Sequence, residues 1–174
     1  HGWISGGNGT LLSTVNGGAS WKKEKMPTAD TLRDVYFTDA QNGWILCERS
    51  VYDSERAAPS YILRTANGGK SWQKMEFDGG SERLARFFFD GKGTGFAIGE
   101  GGAVLRMQSG GSEWKRSPLS VRYLMLDGTF TDGGNGLIAG GGGAMLSTSD
   151  GGTTWSAPRY IEGRPGPKIN AVWF

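Results

Sequence analysis

Arg159, Tyr160, Glu162 and Arg164 fall on one short connection. They are the residue types with which a glycosidase grips an acidic sugar and attacks it. Hydrolysis by two carboxylates needs a pair facing across a cleft. Glu100, Asp53, Glu162 and Asp127 qualify by type alone. The arginine, tyrosine and glutamate sit on a single loop, whereas catalytic groups should come from several repeated elements, so no catalytic residue is assigned. His1 is the only histidine and Cys47 the only cysteine. A histidine-based metal site and a Ser–His or Cys–His nucleophile pair are therefore not expected, and no internal disulfide can form. The glycine runs Gly140 to Gly143 and Gly99-Glu100-Gly101-Gly102 superficially resemble phosphate cradles. Neither opens a helix nor sits in a βαβ unit, so the dinucleotide reading fails. No metal or cofactor is expected.

The elements that must position any site are repeats. Thr148-Ser149-Asp150-Gly151-Gly152-Thr153-Thr154-Trp155 reads as a strand, a tight turn and a return strand. Asp150 is expected to accept N–H groups two residues on. Gly151 and Gly152 supply the positive φ of a two-residue hairpin. Thr153 and Thr154 start the return strand, and Trp155 covers the turn. Copies centre on Asn16 with Trp21 and on Asn67 with Trp72, and a worn copy, with Ser109 at the acidic position, ends at Trp114. A strand-rich period of about forty residues means a propeller or solenoid. Two further elements keep phase. Gly2-Trp3-Ile4, Gly43-Trp44-Ile45, Gly95-Phe96-Ala97 and Gly136-Leu137-Ile138 form one set, and runs ending at Phe37, Phe89 and Phe130 form the other. Each unit then has four strands.

On these residues the chain resembles the BNR/Asp-box family, with motif Ser/Thr-x-Asp-x-Gly-x-Thr-Trp. Asp150, Asn16 and Asn67 stand at the Asp position. The added Gly-Trp-Ile strand is similar to the photosystem II stability/assembly factor-like propellers. The resemblance implies an all-β propeller of four-stranded antiparallel blades, either a closed four-bladed ring or part of a larger one of about seven blades. It also implies a non-catalytic protein-binding scaffold outside the cytoplasm (periplasm, thylakoid lumen or secreted) that serves a subunit or precursor of a membrane complex. The alternative is a glycan-binding or glycoside-hydrolysing propeller of sialidase or xyloglucanase type. The sialidase Arg-Ile-Pro element near the first blade is missing.

At 174 residues the chain has the length of one domain. Blade repeats are expected at about 32–78, 84–118 and 123–158, with 1–26 completed by 168–174, where Ile169 to Phe174 has the phase of an inner strand. The 31 glycines exceed the usual ~7% because turns recur. Ser81 to Arg86 is the only helix candidate, and a short one. No apolar run is long enough for a membrane-spanning helix. Net charge +2, with no basic stripe interleaved with aromatics, argues against nucleic acid.

With the Phe-ended strand innermost, the Asp-box turns share one face with Asp39, Asp90 and Asp132. The opposite loop face collects the basic residues. The candidate partner-binding set is Arg33, Arg83, Arg86, Arg122, Arg49, Arg56, Arg159, Arg164 and Lys168. Arg33, Arg83, Arg86 and Arg122 lie nearest the inner-strand starts. Glu24, Asp30, Glu48, Asp53, Asp78, Glu82 and Glu162 dilute that face. Asn16, Asn67 and Asp150 are expected to tie turns, and Trp21, Trp72, Trp114 and Trp155 to pack between blades. Trp3, Trp44 and Trp173 are expected in the core.

Overall fold

Phe37, Phe89 and Phe130 each end a strand, and each lays its ring over the glycine that opens the next. A Cβ on Gly43, Gly95 or Gly136 would stand 2.6, 2.8 and 2.6 Å from those rings. This contact fixes where each inner strand turns back. The computed structural model describes residues 1–50, 59–75, 77, 81–108, 113–119, 121–131 and 133–174. They form two compact units, His1–Glu76 and Phe77–Phe174.

The first unit holds two antiparallel sheets. One is built from β1 (Gly2–Gly6), β2 (Thr10–Thr14) and β3 (Lys22–Lys23). The other comprises β4 (Thr31–Phe37), β5 (Gly43–Glu48), β6 (Ser60–Thr65) and β7 (Gln73–Met75). The second unit repeats the plan with β8 (Leu84–Phe89), β9 (Gly95–Gly99), β10 (Val104–Met107) and β11 (Lys115–Arg116), then β12 (Met125–Phe130), β13 (Gly136–Gly140) and β14 (Met145–Thr148). Strands pair in sequence order within each sheet. β5 and β9 are covered on both faces and read as unbroken apolar runs, whereas β1 is only half-buried. The outer strands are short and rich in Lys and Arg, which blunts the sheet edge against further pairing. Burial follows this plan. Leu32, Ile45, Leu46 and Ile62 fill the first unit's core, and Phe96, Ile98, Val104, Met125 and Ile138 the second's.

Each Phe-ended strand carries one extra residue near its start. Register shifts fall between Leu32 and Asp34, Leu84 and Arg86, and Met125 and Asp127. Such bulges bend the strand and increase its twist.

Several local expectations are corrected. Ser81 to Arg86 is not helical. Leu84 begins β8, because its apolar partners lie across a sheet rather than along a helix face. The box turns are longer than two residues, running from Thr14 to Lys22 and from Thr65 to Gln73. After β14 no return strand forms. Ser156 N donates to Ser147 O at 2.8 Å and Arg159 bridges Met145, but Pro158 between them has no N–H to give the ladder. The first sheet has three strands, and Ile169 to Phe174 forms none. That segment lies along the second unit, with Ile169 N on Gly140 O and Val172 N on an Asp127 carboxylate oxygen, both at 2.9 Å. Trp173, expected in the core, is 90% exposed. The worn turn Ser109 to Ser112 lies outside the described residues.

Candidate partner-binding face

The box turns exhaust their own polar groups. Thr14 Oγ1 donates to Asn16 Oδ1 at 2.9 Å and accepts Gly18 N at 3.0 Å, while Ser20 N donates to Asn16 Oδ1 at 3.0 Å. Thr65, Asn67, Gly69 and Ser71 repeat the set. At Asp150 the second carboxylate oxygen also accepts the Thr154 hydroxyl at 2.6 Å. The acidic position thus accepts an N–H four residues on, rather than two. These bonds hold the Asp150 carboxyl down at about 2. Asp39 is held at about 2 in the same way, by Asn42 and by the Gln41 and Asn42 amides. Asp90 accepts the Lys92 and Thr94 amides. Both are Asx turns, the geometry the turn-residue rule gives to Asp at such positions. Asp132 lies outside the described residues.

The tryptophans pack rather than present. Trp114 is fully buried and stacks on Phe87 at 5.4 Å, Trp72 meets Phe37 edge-on at 6.1 Å, and Trp155 meets Phe96 edge-on at 6.0 Å. Trp21 is 41% exposed beside Gly18.

At the other end of the strands, the glycine runs are backbone clamps. Glu100–Gly102 and Gly141–Gly143 form tight 3₁₀ turns with positive φ at Gly101 and Gly142. The chain entering β12 threads between them. Gly102 N donates to Tyr123 O and Gly141 N to Leu124 O, both at 2.8 Å. A Cβ at Gly102 would stand 2.0 Å from Val121 O, and one at Gly142 2.7 Å from the Tyr123 ring. The same β13–β14 turn gathers two more segments. Gly166 N donates to Gly142 O at 2.8 Å, and Ile169 N to Gly140 O. Arg159 exchanges both backbone bonds with Met145, just past the turn. Arg122, Arg159 and Lys168 are thereby brought to one end of the fourth sheet, beside Tyr123 and Tyr160, whose rings meet edge-on at 6.3 Å. Burial and the neighbouring Tyr123 raise the Tyr160 phenol above its usual value.

The expected basic set divides by partner. Arg33 pairs with Glu48 at 2.7 Å, Arg86 with Asp127 at 3.1 Å and Arg164 with Glu162 at 3.0 Å. Arg49 lies over the Tyr61 ring at 4.7 Å. Arg83 is bound through its backbone to Glu100, amide to carboxylate and carbonyl to amide. Arg56 lies outside the described residues. Arg122, Arg159 and Lys168 are exposed and make no side-chain ion pair or hydrogen bond among the described residues. The candidate glycosidase carboxylates are committed elsewhere: Asp127 to Arg86 and Val172, Glu162 to Arg164 and Glu100 to Arg83 N. Asp53 lies outside the described residues.

The family model described as Photosynthesis system II assembly factor YCF48 matches residues 20–124. The chain belongs to this family. It is 26% identical over 143 residues to the photosystem II stability/assembly factor HCF136, chloroplastic, of Oryza sativa subsp. japonica, covering 76% of the chain and 31% of that protein. It is 27% identical over 123 residues to the photosystem II assembly lipoprotein Ycf48 of Synechococcus sp. (strain CC9902), covering 67% and 33%. Among solved structures, one described as YCF48 bound to D1 peptide superposes with TM-score 0.63 and 26% identity, covering 92% of the chain and 49% of that structure. YCF48 from Cyanidioschyzon merolae gives TM-score 0.62 at 19% identity, covering 94% and 54%, and supports the fold alone. The four sheets are blades of a β-propeller. The chain spans about a third of these curated relatives and about half of the solved structures.

Proposed function

We propose that the chain is a non-catalytic, extracytoplasmic binding platform of the photosystem II assembly-factor kind. It holds an acidic segment of a membrane-complex subunit or its precursor on the end of the strands that carries Arg122, Arg159 and Lys168. The observation that carries this reading is the gathering of three unpaired cations and a tyrosine pair around one glycine-built turn. Unpaired surface cations attract an acidic partner and set its register without the cost of breaking an internal pair. Arg83, Arg86 and Arg164, in the same unit, belong to the proposed set as flanking residues, and Arg33 and Arg49 belong to it within the first unit; most of these are already engaged. The relatives' names support the location, one being a lipoprotein and another chloroplastic, and a relative of known structure is described with D1 peptide.

The test is fluorescence anisotropy with a labelled D1 peptide at several salt concentrations. Arg122→Glu, Arg159→Glu and Lys168→Glu together should weaken binding by about tenfold or more, since exposed pairs contribute roughly 0.2–1 kcal/mol each. The salt dependence should fall in step. Unchanged affinity in a folded triple variant would sink the assignment, as would turnover of sialosides or β-glucans.

A further inference from the structure

A second polar site lies at the box-turn end of the second unit, away from the turn that gathers Arg122 and Arg159. A cavity of about 520 Å³ opens there between the third and fourth sheets, within the 300–1,000 Å³ range of small-ligand sites. Arg106, on β10, reaches into it. Among the described residues its side chain makes one hydrogen bond, a weak one from Nε to Gly151 O at 3.4 Å, and no ion pair. A guanidinium carries five N–H donors in a planar fork, so most of its capacity is unused. Lys92 lines the same cavity, is exposed and makes no ion pair among the described residues.

Both carboxylates in the cavity are engaged by their own turns. Asp90 takes the Lys92 and Thr94 amides, and Asp150 takes Thr148, Thr154 N and the Thr154 hydroxyl. Both carboxylates therefore serve their own turns rather than Arg106. Donors remain in excess: the guanidinium, the Lys92 ammonium, the Ser149 hydroxyl and the amides of Gly133 and Gly134, which make no hydrogen bond among the described residues. The corresponding groove between the first two sheets has Ser13 at the position Arg106 occupies, opposite the aromatic of the second strand. The equivalent position holds Arg64 on β6 and Ser147 on β14, and the first groove carries Lys22 and Lys70 on its walls, so an arginine here is a property of the sequence and not a demand of the fold.

We propose that this groove binds an oxyanion, a carboxylate or phosphate-type group, gripped by the Arg106 fork with Lys92 at its rim. Arginine matches both shapes bidentately, and such charge-assisted bonds are about twice as strong as neutral ones. The site is independent of the proposed peptide-binding face, since no residue is shared.

The experiment is a thermal-shift and calorimetric titration of the whole chain with inorganic phosphate, and separately with acetate, against sodium chloride at matched ionic strength. Phosphate or acetate should raise the melting temperature beyond the chloride control. The tighter of the two names the source of the anion. Arg106→Gln should weaken that binding by about tenfold or more. Arg106→Lys keeps the charge and loses the fork, and should fall between, which separates recognition from general attraction. Melting of each variant without ligand confirms that it folds. Binding in Arg106→Gln equal to that of the parent, or no effect beyond chloride in the parent, overturns the proposal.

Discussion

Gly43→Ala tests the contact that sets each blade's first turn. The three nearest atoms to a Cβ at Gly43 all belong to the Phe37 ring, at 2.6, 2.6 and 2.7 Å. Real Cβ atoms do not approach so closely, so the ring must move. It has little room, because it stacks on Trp3 at 4.3 Å with planes 4° apart and receives the edge of Trp72. Overpacking of this kind costs about 1–3 kcal/mol. Against it stands the ordinary gain of alanine over glycine in a strand, about 0.5–1 kcal/mol. The net expectation is a loss of about 1–2 kcal/mol, or roughly 2–4 °C of melting temperature per kcal/mol for a chain this size. Denaturant melts of a double-mutant cycle give the sharper reading. In a Phe37→Ala background the obstacle is gone, and Gly43→Ala should become neutral or stabilising. A coupling of about 1–3 kcal/mol follows. Equal losses in both backgrounds would refute the reasoning, because the glycine would then be required by the backbone and not by the ring.

Two chemical predictions follow from the same geometry. Asp39 and Asp150 have carboxyls at about 2 in the folded chain, below the ordinary carboxylate value of about 4. Their contribution to stability is complete above the ordinary value and is lost as pH falls toward 2. Acid unfolding of Asp150→Asn, whose amide cannot titrate, should show a shallower dependence in that window, and an unchanged slope would count against the turn bonds as the cause. Cys47 is fully buried, and that burial pushes its thiol up to about 12. Iodoacetamide at neutral pH should leave the native chain unlabelled and modify it only after unfolding, since the thiolate is the reactive form. Rapid native labelling would show that β5 opens.

Much of this was legible in the chain because the repeat is written in residues whose reasons are local. Phe37, Phe89 and Phe130, with Gly43, Gly95 and Gly136, announce a strand–turn–strand spacing that the rings enforce. The box residues announced a turn, but not its length. The motif marks Ser/Thr at its first position without saying what it does: the hydroxyls of Thr14, Thr65 and Thr148 receive the amide of the second box glycine and close the turn. A hydroxyl four residues before a backbone amide leaves no periodic trace. The basic face was legible as a count of arginines and not as a set of free charges. Arg86 finds Asp127, and Arg33 finds Glu48, across strands whose register depends on a bulge. A bulge shifts side-chain phase by one residue, and period-two reasoning cannot anticipate it.

The glycine clamps explain why the loop end can vary in chemistry while the fold persists. In the first unit Gly9 donates to Asp30 O, and its Cβ would strike Thr28 O at 2.2 Å. In the second, Gly102 approaches Val121 O and donates to Tyr123 O. In each case the glycine's nearest neighbour is a carbonyl of the incoming chain, and the Val121 side chain also crowds Gly102, so the contact constrains Val121 but not the Arg122 side chain next to it. The Thr28 and Asp30 side chains face inward and are taken up by the Tyr61 hydroxyl. At Arg122 the side chain stays in solvent. The fold therefore demands glycine at the turn and leaves the neighbouring positions open to charge. A binding surface built this way can be recharged one residue at a time without touching the blade. At the box end, where Asp39, Asp90 and Asp150 are engaged by their own turns, that freedom lies at strand positions such as Ser13 and Arg106 and at exposed turn positions such as Lys92.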